Sequence, residues 1–202
     1  MAEVRNDKEA SEDYTKEMIN GKIYYMANGL YVHEMLIIGL RDEFIKYFIK
    51  TGNEKCKVST EGLNFFMNEE DANNYVAPDI AIICDKKGVR RGYKGTPELI
   101  VEVASRDTRK KDRGDKFKLY EKAGVKEYWL VEPKLKSIEQ YVLKAGEYDL
   151  NDIVSLPSKK ELLELEDKKE NYNSIIKLTI FEGLEIDLNN IFLKEYDDIE
   201  ED

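Results

Sequence analysis

Histidine is almost missing from this chain: His33 stands alone among 202 residues, which excludes a zinc centre built on histidines, and no motif of a catalytic Ser/His/Asp set is seen. Cysteine is nearly as scarce. Cys56 and Cys84 show no metal-ligand spacing, the fold needs no disulfide scaffold, and a reducing cytosol is the expected compartment. No apolar run is long enough to cross a bilayer, and the first residues lack an apolar signal region. Positive charge is also in deficit, with a net charge of -10, so the surface as a whole cannot bind polyanions indiscriminately. There is no Gly-rich phosphate loop and no internal repeat. What is present is a chain 42% hydrophobic and 37% charged, long enough for one domain that buries roughly 70% of its unfolded surface.

Residues 1–13 are charged and poor in apolar groups, and the pattern predicts a mobile N-terminus before a single domain over 14–194. Asn20-Gly21 between short apolar-alternating runs predicts a hairpin. Tyr31 to about Lys50 reads as an amphipathic helix, with Leu36, Ile37, Leu40, Phe44, Tyr47 and Phe48 on one face and His33 on the same stripe. A lone histidine there is more often a packing residue than a ligand. Lys55–Phe66 reads as a strand region, as do Tyr128–Val131 and Ser137–Leu143. Ser158–Asn173 is compatible with helix or loop. Leu178–Phe192 reads as strand, turn and short helix, and 195–202 as an acidic tail.

The chemistry is concentrated between Val76 and Pro133. Asp79 precedes the apolar run Ile80–Cys84, and Glu102 interrupts the apolar run Leu99–Ala104. Strand alternation puts Glu98, Ile100 and Glu102 on one face and Leu99, Val101 and Val103 on the other. A carboxylate inside a buried strand costs several kcal/mol unless it is paired or metal-bound. The following helix is expected from about Asp112 to Ala123, stopped by Gly124. At ~100° per residue, Lys116 falls on the arc of Phe117, Leu119, Tyr120 and Ala123, opposite Asp115, Lys118, Glu121 and Lys122. Lys116 either snorkels to water or reaches the acids, and Asp79 and Glu102 nearby favour the second.

These residues resemble the PD-(D/E)xK nuclease superfamily and, more specifically, the Uma-two family of restriction-endonuclease-like proteins. The likeness runs through Pro78-Asp79, Pro97-Glu98-Leu99-Ile100-Val101-Glu102-Val103, Arg113-Gly114-Asp115-Lys116, Leu119-Tyr120 and Gly124-Val125-Lys126-Glu127-Tyr128-Trp129. It implies an α/β fold with a restriction-endonuclease-like core: a mixed, twisted sheet flanked by helices, with additional edge hairpins. It also implies hydrolysis of DNA phosphodiester bonds, with Mg²⁺, or alternatively Mn²⁺, held by Asp79, Glu102 and the Val103 carbonyl. The superfamily's lysine two residues after the acid is Ala104 here, which makes Lys116 the catalytic lysine expected from the resemblance. Glu17, His33 and Glu98 would stand behind the metal ligands.

Two basic clusters flank this region: Lys86, Lys87, Arg90, Arg91 and Lys94, then Arg106, Arg109, Lys110, Lys111 and Arg113. They read either as solvated loops or as a rim that contacts DNA phosphates without reading sequence. Two other functions compete with the nuclease. One is an inactive nuclease fold serving as a binding or assembly module; the other is a structural protein in which Glu102 and Lys116 form a buried ion pair. A duplex cut on both strands would favour a two-fold homodimer.

Overall fold

The computed structural model describes residues 14–27, 30–67, 74–85, 88–89, 92–105, 108–193 and 196. The expected mobile N-terminus and nearly all of the acidic tail lie outside them, as do Lys86, Lys87, Arg90, Arg91 and Arg106. At the centre is a six-stranded mixed sheet. Its strands are β3 (Lys57–Thr60), β5 (Ile80–Ile83), β7 (Leu99–Val103), β8 (Glu127–Glu132), β9 (Ser137–Lys144) and β10 (Glu147–Ser155), in the spatial order β10-β9-β8-β7-β5-β3. Only β7 and β8 run parallel, and a parallel pair needs a crossover connection. That crossover is helical: α2 (Arg109–Lys111), a π-turn (Asp112–Lys116) and α3 (Phe117–Ala123).

Alternation along the central strands builds two cores. Ile80, Ile82, Leu99, Val101, Val103, Trp129 and Val131 face α1 (Tyr31–Thr51), which presents Leu36, Ile37, Leu40, Phe44 and Phe48. The C-terminal segment closes this side through Ile176, Leu184, Ile186 and Leu188, using strands β11 (Ile175–Lys177) and β12 (Glu185–Asp187). Ala81, Ile83, Ile100, Tyr128 and Leu130 face the other way, against Tyr120 of α3 and Val125. Ring contacts of Phe117 with Tyr128, Tyr141 and Tyr148, at 6.0, 5.0 and 5.0 Å between centroids, seat α3 across β8, β9 and β10. Glu102 lies on this second face, between Ile100 and Ala104.

A hairpin outside the main sheet completes the second side. Strands β1 (Tyr14–Ile19) and β2 (Lys22–Ala27) are joined at Asn20-Gly21, where φ is 52° and 73°, the left-handed pair that a tight two-residue hairpin requires. Asn20 N–H donates to Asn74 Oδ1 at 2.7 Å, and Met18 exchanges backbone hydrogen bonds with Tyr75. The hairpin is thereby tied to the segment that leads into Asp79. A small parallel pair, β4 (Phe65–Phe66) with β6 (Tyr93–Lys94), covers the same flank.

Four expectations change. The crossover helix begins at Arg109, three residues earlier than read, because Thr108 and Ser105 bond to each other and start the turn upstream of Asp112. The strand region 55–66 is two short strands separated by a turn. The ambiguous stretch 158–173 opens with helix α4 (Lys159–Lys168), started by a capping box in which Ser158 and Glu161 bond reciprocally. Finally, Cys56 and Cys84 are not free thiols. They follow the β3/β5 register in which Lys57 faces Ile83, so the two lie opposite each other and form a disulfide. Among the described residues no helix is long and apolar enough to span a membrane.

This disulfide links residues 28 apart in sequence, which constrains the unfolded chain by about 3.5 kcal/mol in the loop-entropy picture. Reduction, or the double change Cys56→Ser and Cys84→Ser, should lower the guanidinium midpoint by the equivalent amount. Coincident unfolding curves with and without reductant would show that the link does not contribute.

Candidate active site

Asp79 and Glu102 come together through register. Ile80 faces Val101 across the antiparallel β5/β7 pair, so the next positions outward are Asp79 and Glu102, on the face shared with Ala81 and Ile100. On the other side of β5, Thr60 faces Ile80, and Glu61 follows Thr60 toward Asp79. Three carboxylates therefore cross three neighbouring strands in a row. Asp79 is held by the Val103 N–H, which donates to Oδ2 at 2.6 Å, and by His33 Nε2 at 3.4 Å from the same oxygen.

Glu102 is buried, and both of its oxygens are engaged. Lys116 Nζ donates to Oε2 at 2.9 Å and the Tyr120 hydroxyl to Oε1 at 2.5 Å. Lys116 itself is 1% exposed. It lies 2.9 Å from Glu17 Oε1 and 3.7 Å from Asp112 Oδ1. Glu17 projects from β1 and is wholly buried, accepting from the Ala77 N–H at 2.9 Å and from Lys111 Nζ at 2.6 Å. The cluster thus draws on β1, β7, α2, the π-turn and α3.

Electrostatics divide the site into a dry and an open half. In the dry half, burial drives Glu102 well above the ordinary carboxyl range, and Lys116 opposes this only in part against the added charges of Asp79, Asp112 and Glu17. Burial also raises Asp112, and Lys116 and Thr108 restrain it. Glu17 ends below its ordinary value, because Lys116 and Lys111 outweigh its own burial. Lys116 is held well above its usual value: desolvation pulls it down, and Glu102, Glu17, Asp112 and Asp79 together overcome it. The ammonium form is therefore the resident one. In the open half, burial lowers His33, but the hydrogen bond and charge of Asp79, with Glu61 and Glu34, lift it to about 9. Ligand atoms of His33, Glu61 and Asp79 lie within 4.8 Å of one another, the one such grouping among the described residues.

Of the residues singled out from sequence, Asp79, Glu102, Val103, Lys116, Glu17 and His33 are brought together. Glu98 is not among them: its carboxylate pairs with Lys126 at 2.5 Å at the other end of β7. Arg109 and Arg113 are engaged in ion pairs with Glu132, at 2.7 and 3.0 Å, and Arg113 also pairs with Glu139 at 2.6 Å. Lys110 is exposed beside them. Sequence reading missed Lys111, Asp112, Glu61 and Tyr120 as members of the site. Lys111 and Lys116 are five residues apart, a spacing that a regular helix turns to different faces and that the wider π-turn brings to one side. Glu61 has no local signal and is placed only by strand register.

A mixed sheet with helices on both faces, carrying buried carboxylates and a buried lysine at one edge of its central strands, defines a protein of the restriction-endonuclease-like α/β class. Residues 5–173 match the model of the Uma2 family, described as "Putative restriction endonuclease", and the chain belongs to that family. The fold is similar to the crystal structure of a "putative nuclease belonging to DUF820" from Anabaena variabilis. The TM-score is 0.66 over 88% of this chain and 89% of that one, at 14% identity, a level at which the likeness speaks for the fold alone. The chain is also 30% identical over 127 residues to an uncharacterized protein of Synechocystis sp., slr1290. That match spans 62% of this chain and 64% of the relative.

Because the folded His33 binds its proton more tightly than the unfolded chain does, it stabilises the metal-free protein below about pH 6.5. That stability is lost as pH rises through about 9. Urea unfolding at pH 6.5 and pH 9.5 in the presence of a chelator should show a decrease of a few kcal/mol, and His33→Gln should flatten it. An unchanged slope in the variant would assign the pH dependence to other groups.

Proposed function

We propose that this chain is a divalent-metal-dependent nuclease that hydrolyses phosphodiester bonds in DNA. The observation that carries the reading is the Lys116 ammonium, enclosed and held 2.9 Å from both Glu102 and Glu17 beside the Asp79 strand end. A lysine is costly to bury, and here Glu102, Glu17, Asp112 and Asp79 together keep it charged.

The donor set suits a hard cation. Glu17, Glu102 and Asp112 set three carboxylates against the two ammonium groups of Lys111 and Lys116, and the buried Asp112 carboxylate has Lys116 no nearer than 3.7 Å. Asp79, Glu102 and the Val103 carbonyl would hold Mg²⁺, or Mn²⁺, with oxygen ligands. Both Glu102 oxygens already accept hydrogen bonds, but a carboxylate has about four lone-pair sites, so one oxygen can serve both a donor and a metal. When bound, the metal polarises a phosphoryl oxygen and acidifies a water.

The protein's own groups do the remaining work. The Val103 N–H fixes the Asp79 carboxylate, and the Tyr120 hydroxyl fixes Glu102. Lys116 presents a preorganised positive charge to the phosphate as negative charge develops on it, or orients the attacking water. Glu17 keeps that ammonium in place from behind. Exposed Lys94 and Lys110 are available to phosphates, while the other expected contacts, Lys86, Lys87, Arg90 and Arg91, lie outside the described residues. Cutting both strands of a duplex calls for two such sites, and we extend the reading to a two-fold homodimer on that ground.

A second reading is favoured by the completeness of the Lys116 pairing: the cluster is a buried ion network that holds the hairpin to the sheet in an inactive binding module. Lys116→Met separates the two. It keeps the hydrocarbon stem and leaves Glu17 and Glu102 partly unpaired, which should cost about 3–5 kcal/mol of stability. In a nuclease it also removes the chemical step, while Lys118→Met on the solvated face changes neither. Single-turnover cleavage of DNA in Mg²⁺, on protein verified as folded by circular dichroism, should be lost in Lys116→Met and in Asp79→Ala. Calorimetric metal binding should weaken in Asp79→Ala alone of these variants. Full cleavage by Asp79→Ala, or equal rates for the two lysine variants, would overturn the nuclease assignment.

A further inference from the structure

We propose that Glu132 is a positioning residue: from the end of β8 it clamps Arg109 and Arg113 and so fixes the π-turn that presents Lys111, Asp112 and Lys116 to the site. This inference rests on the nuclease reading for its kinetic consequence, though the clamp itself does not.

A helix that contains one π-turn has surrendered good α-type hydrogen bonds for one extra residue, and it persists only where surrounding contacts favour the wider turn. Two sets of contacts do so here, on different sides of the segment. On the site side, Lys111 and Lys116 are drawn to Glu17 and Glu102. On the other, Arg109 Nη2 lies 2.7 Å from Glu132 Oε2, and Arg113 Nη2 lies 3.0 Å from Glu132 Oε1. One carboxylate therefore takes an arginine from the turn before the π segment and another from inside it, one on each oxygen. The Tyr128 hydroxyl adds a bond to the Asp112 carbonyl at 3.2 Å, satisfying a backbone acceptor within the π-turn.

The clamp is asymmetric in its exposure, and that gives it leverage. Glu132 is 2% exposed, and its backbone is paired within the sheet, where it faces Ser137 of β9. The arginine side chains are 47% and 38% exposed. One buried anion, fixed by its strand pairing, thus meets two partly exposed cations from the crossover helix. Arg113 is further tied to Glu139 by bonds of 2.6 and 2.8 Å, and the Tyr141 hydroxyl holds Glu139 at 2.7 Å. Arg109 and Arg113 are consequently committed to the protein's own carboxylates. Their role is to set where Lys116 stands, not to contact DNA phosphates.

The test is Glu132→Gln, which keeps the shape and removes the charge, beside Arg109→Gln, a milder change that leaves the Arg113–Glu139 pair intact. Both should lower single-turnover kcat about 10-fold or more, because a small misplacement of a preorganised charge is costly. KM, the salt dependence of DNA binding and calorimetric Mn²⁺ binding should stay at wild-type values. Hydrogen exchange over residues 109–118 should accelerate in both variants while β5 and β7 keep their protection, and Glu132→Asp should recover part of the loss. Wild-type kcat and wild-type exchange in both variants would overturn the proposal. So would a raised KM with a shallower salt slope, since the arginines would then be phosphate contacts. If wild-type protein cleaves no nucleic acid, the nuclease reading fails. Exchange at 109–118 still decides the clamp, accelerated if Glu132 holds the turn and unchanged if it does not.

Discussion

The structure turns on one ammonium group. Lys116 reaches Glu17 on the β1/β2 hairpin and Glu102 on β7 at the same distance, 2.9 Å, and lies 3.7 Å from Asp112 in its own helix. None of these groups could be buried alone, since each would lose several kcal/mol of hydration without compensation. Buried together they become mutually necessary, and the hairpin, sheet and crossover helix are joined at one point. Glu127 shows the alternative solution. It is equally buried but takes its hydrogen bonds from Trp129, Gln140 and Thr179, neutral donors only. Glu127 is met by neutral dipoles alone, whereas Glu102 is met by a hydroxyl and a buried ammonium.

Asp79 links this enclosed network to a more open one. It acts electrostatically on Glu102 and Lys116 on the inner side, and contacts His33 on the outer side, with Glu61 close by. Charge balance differs across that boundary: lysines predominate as partners inside, while a single histidine faces Asp79, Glu61 and Glu34 outside. Burial and like charge also lift Glu61 above its ordinary value. A gradient from neutralised to acid-rich across a few side chains is suited to drawing a cation to the Asp79 end while keeping a fixed positive charge behind it.

Much of this was legible before any coordinates. The positions of Asp79 and Glu102 follow from a two-residue period interrupted by acid, and the inward direction of Lys116 follows from ~100° per residue within one turn of Tyr120. The hairpin at Asn20-Gly21 and the core stripe of α1 are equally local. The failures share a cause as well. Lys111 looked like one more member of a basic run because the extra residue of the π-turn breaks the helical phase on which the reading depended. The ion pairs of Arg109 and Arg113 were equally out of view, because Glu132 and Glu139, their partners, come from β8 and β9. Glu98 has the right alternation but stands at the far end of its strand, where Lys126 takes it.

The sequence by itself therefore determined which side chains are inward: the short-range periodicities of strand and helix are properties of consecutive residues. It determined the family as well, through motifs spread over the chain. Which inward groups meet was decided only by the tertiary structure. Glu61 beside Asp79, Glu17 between two lysines and Cys56 opposite Cys84 all depend on strand register or hairpin docking, which sum interactions across dozens of residues. A one-residue change in helical phase or strand register moves a charge to the other face at almost no local cost, and only the packed core penalises the wrong choice.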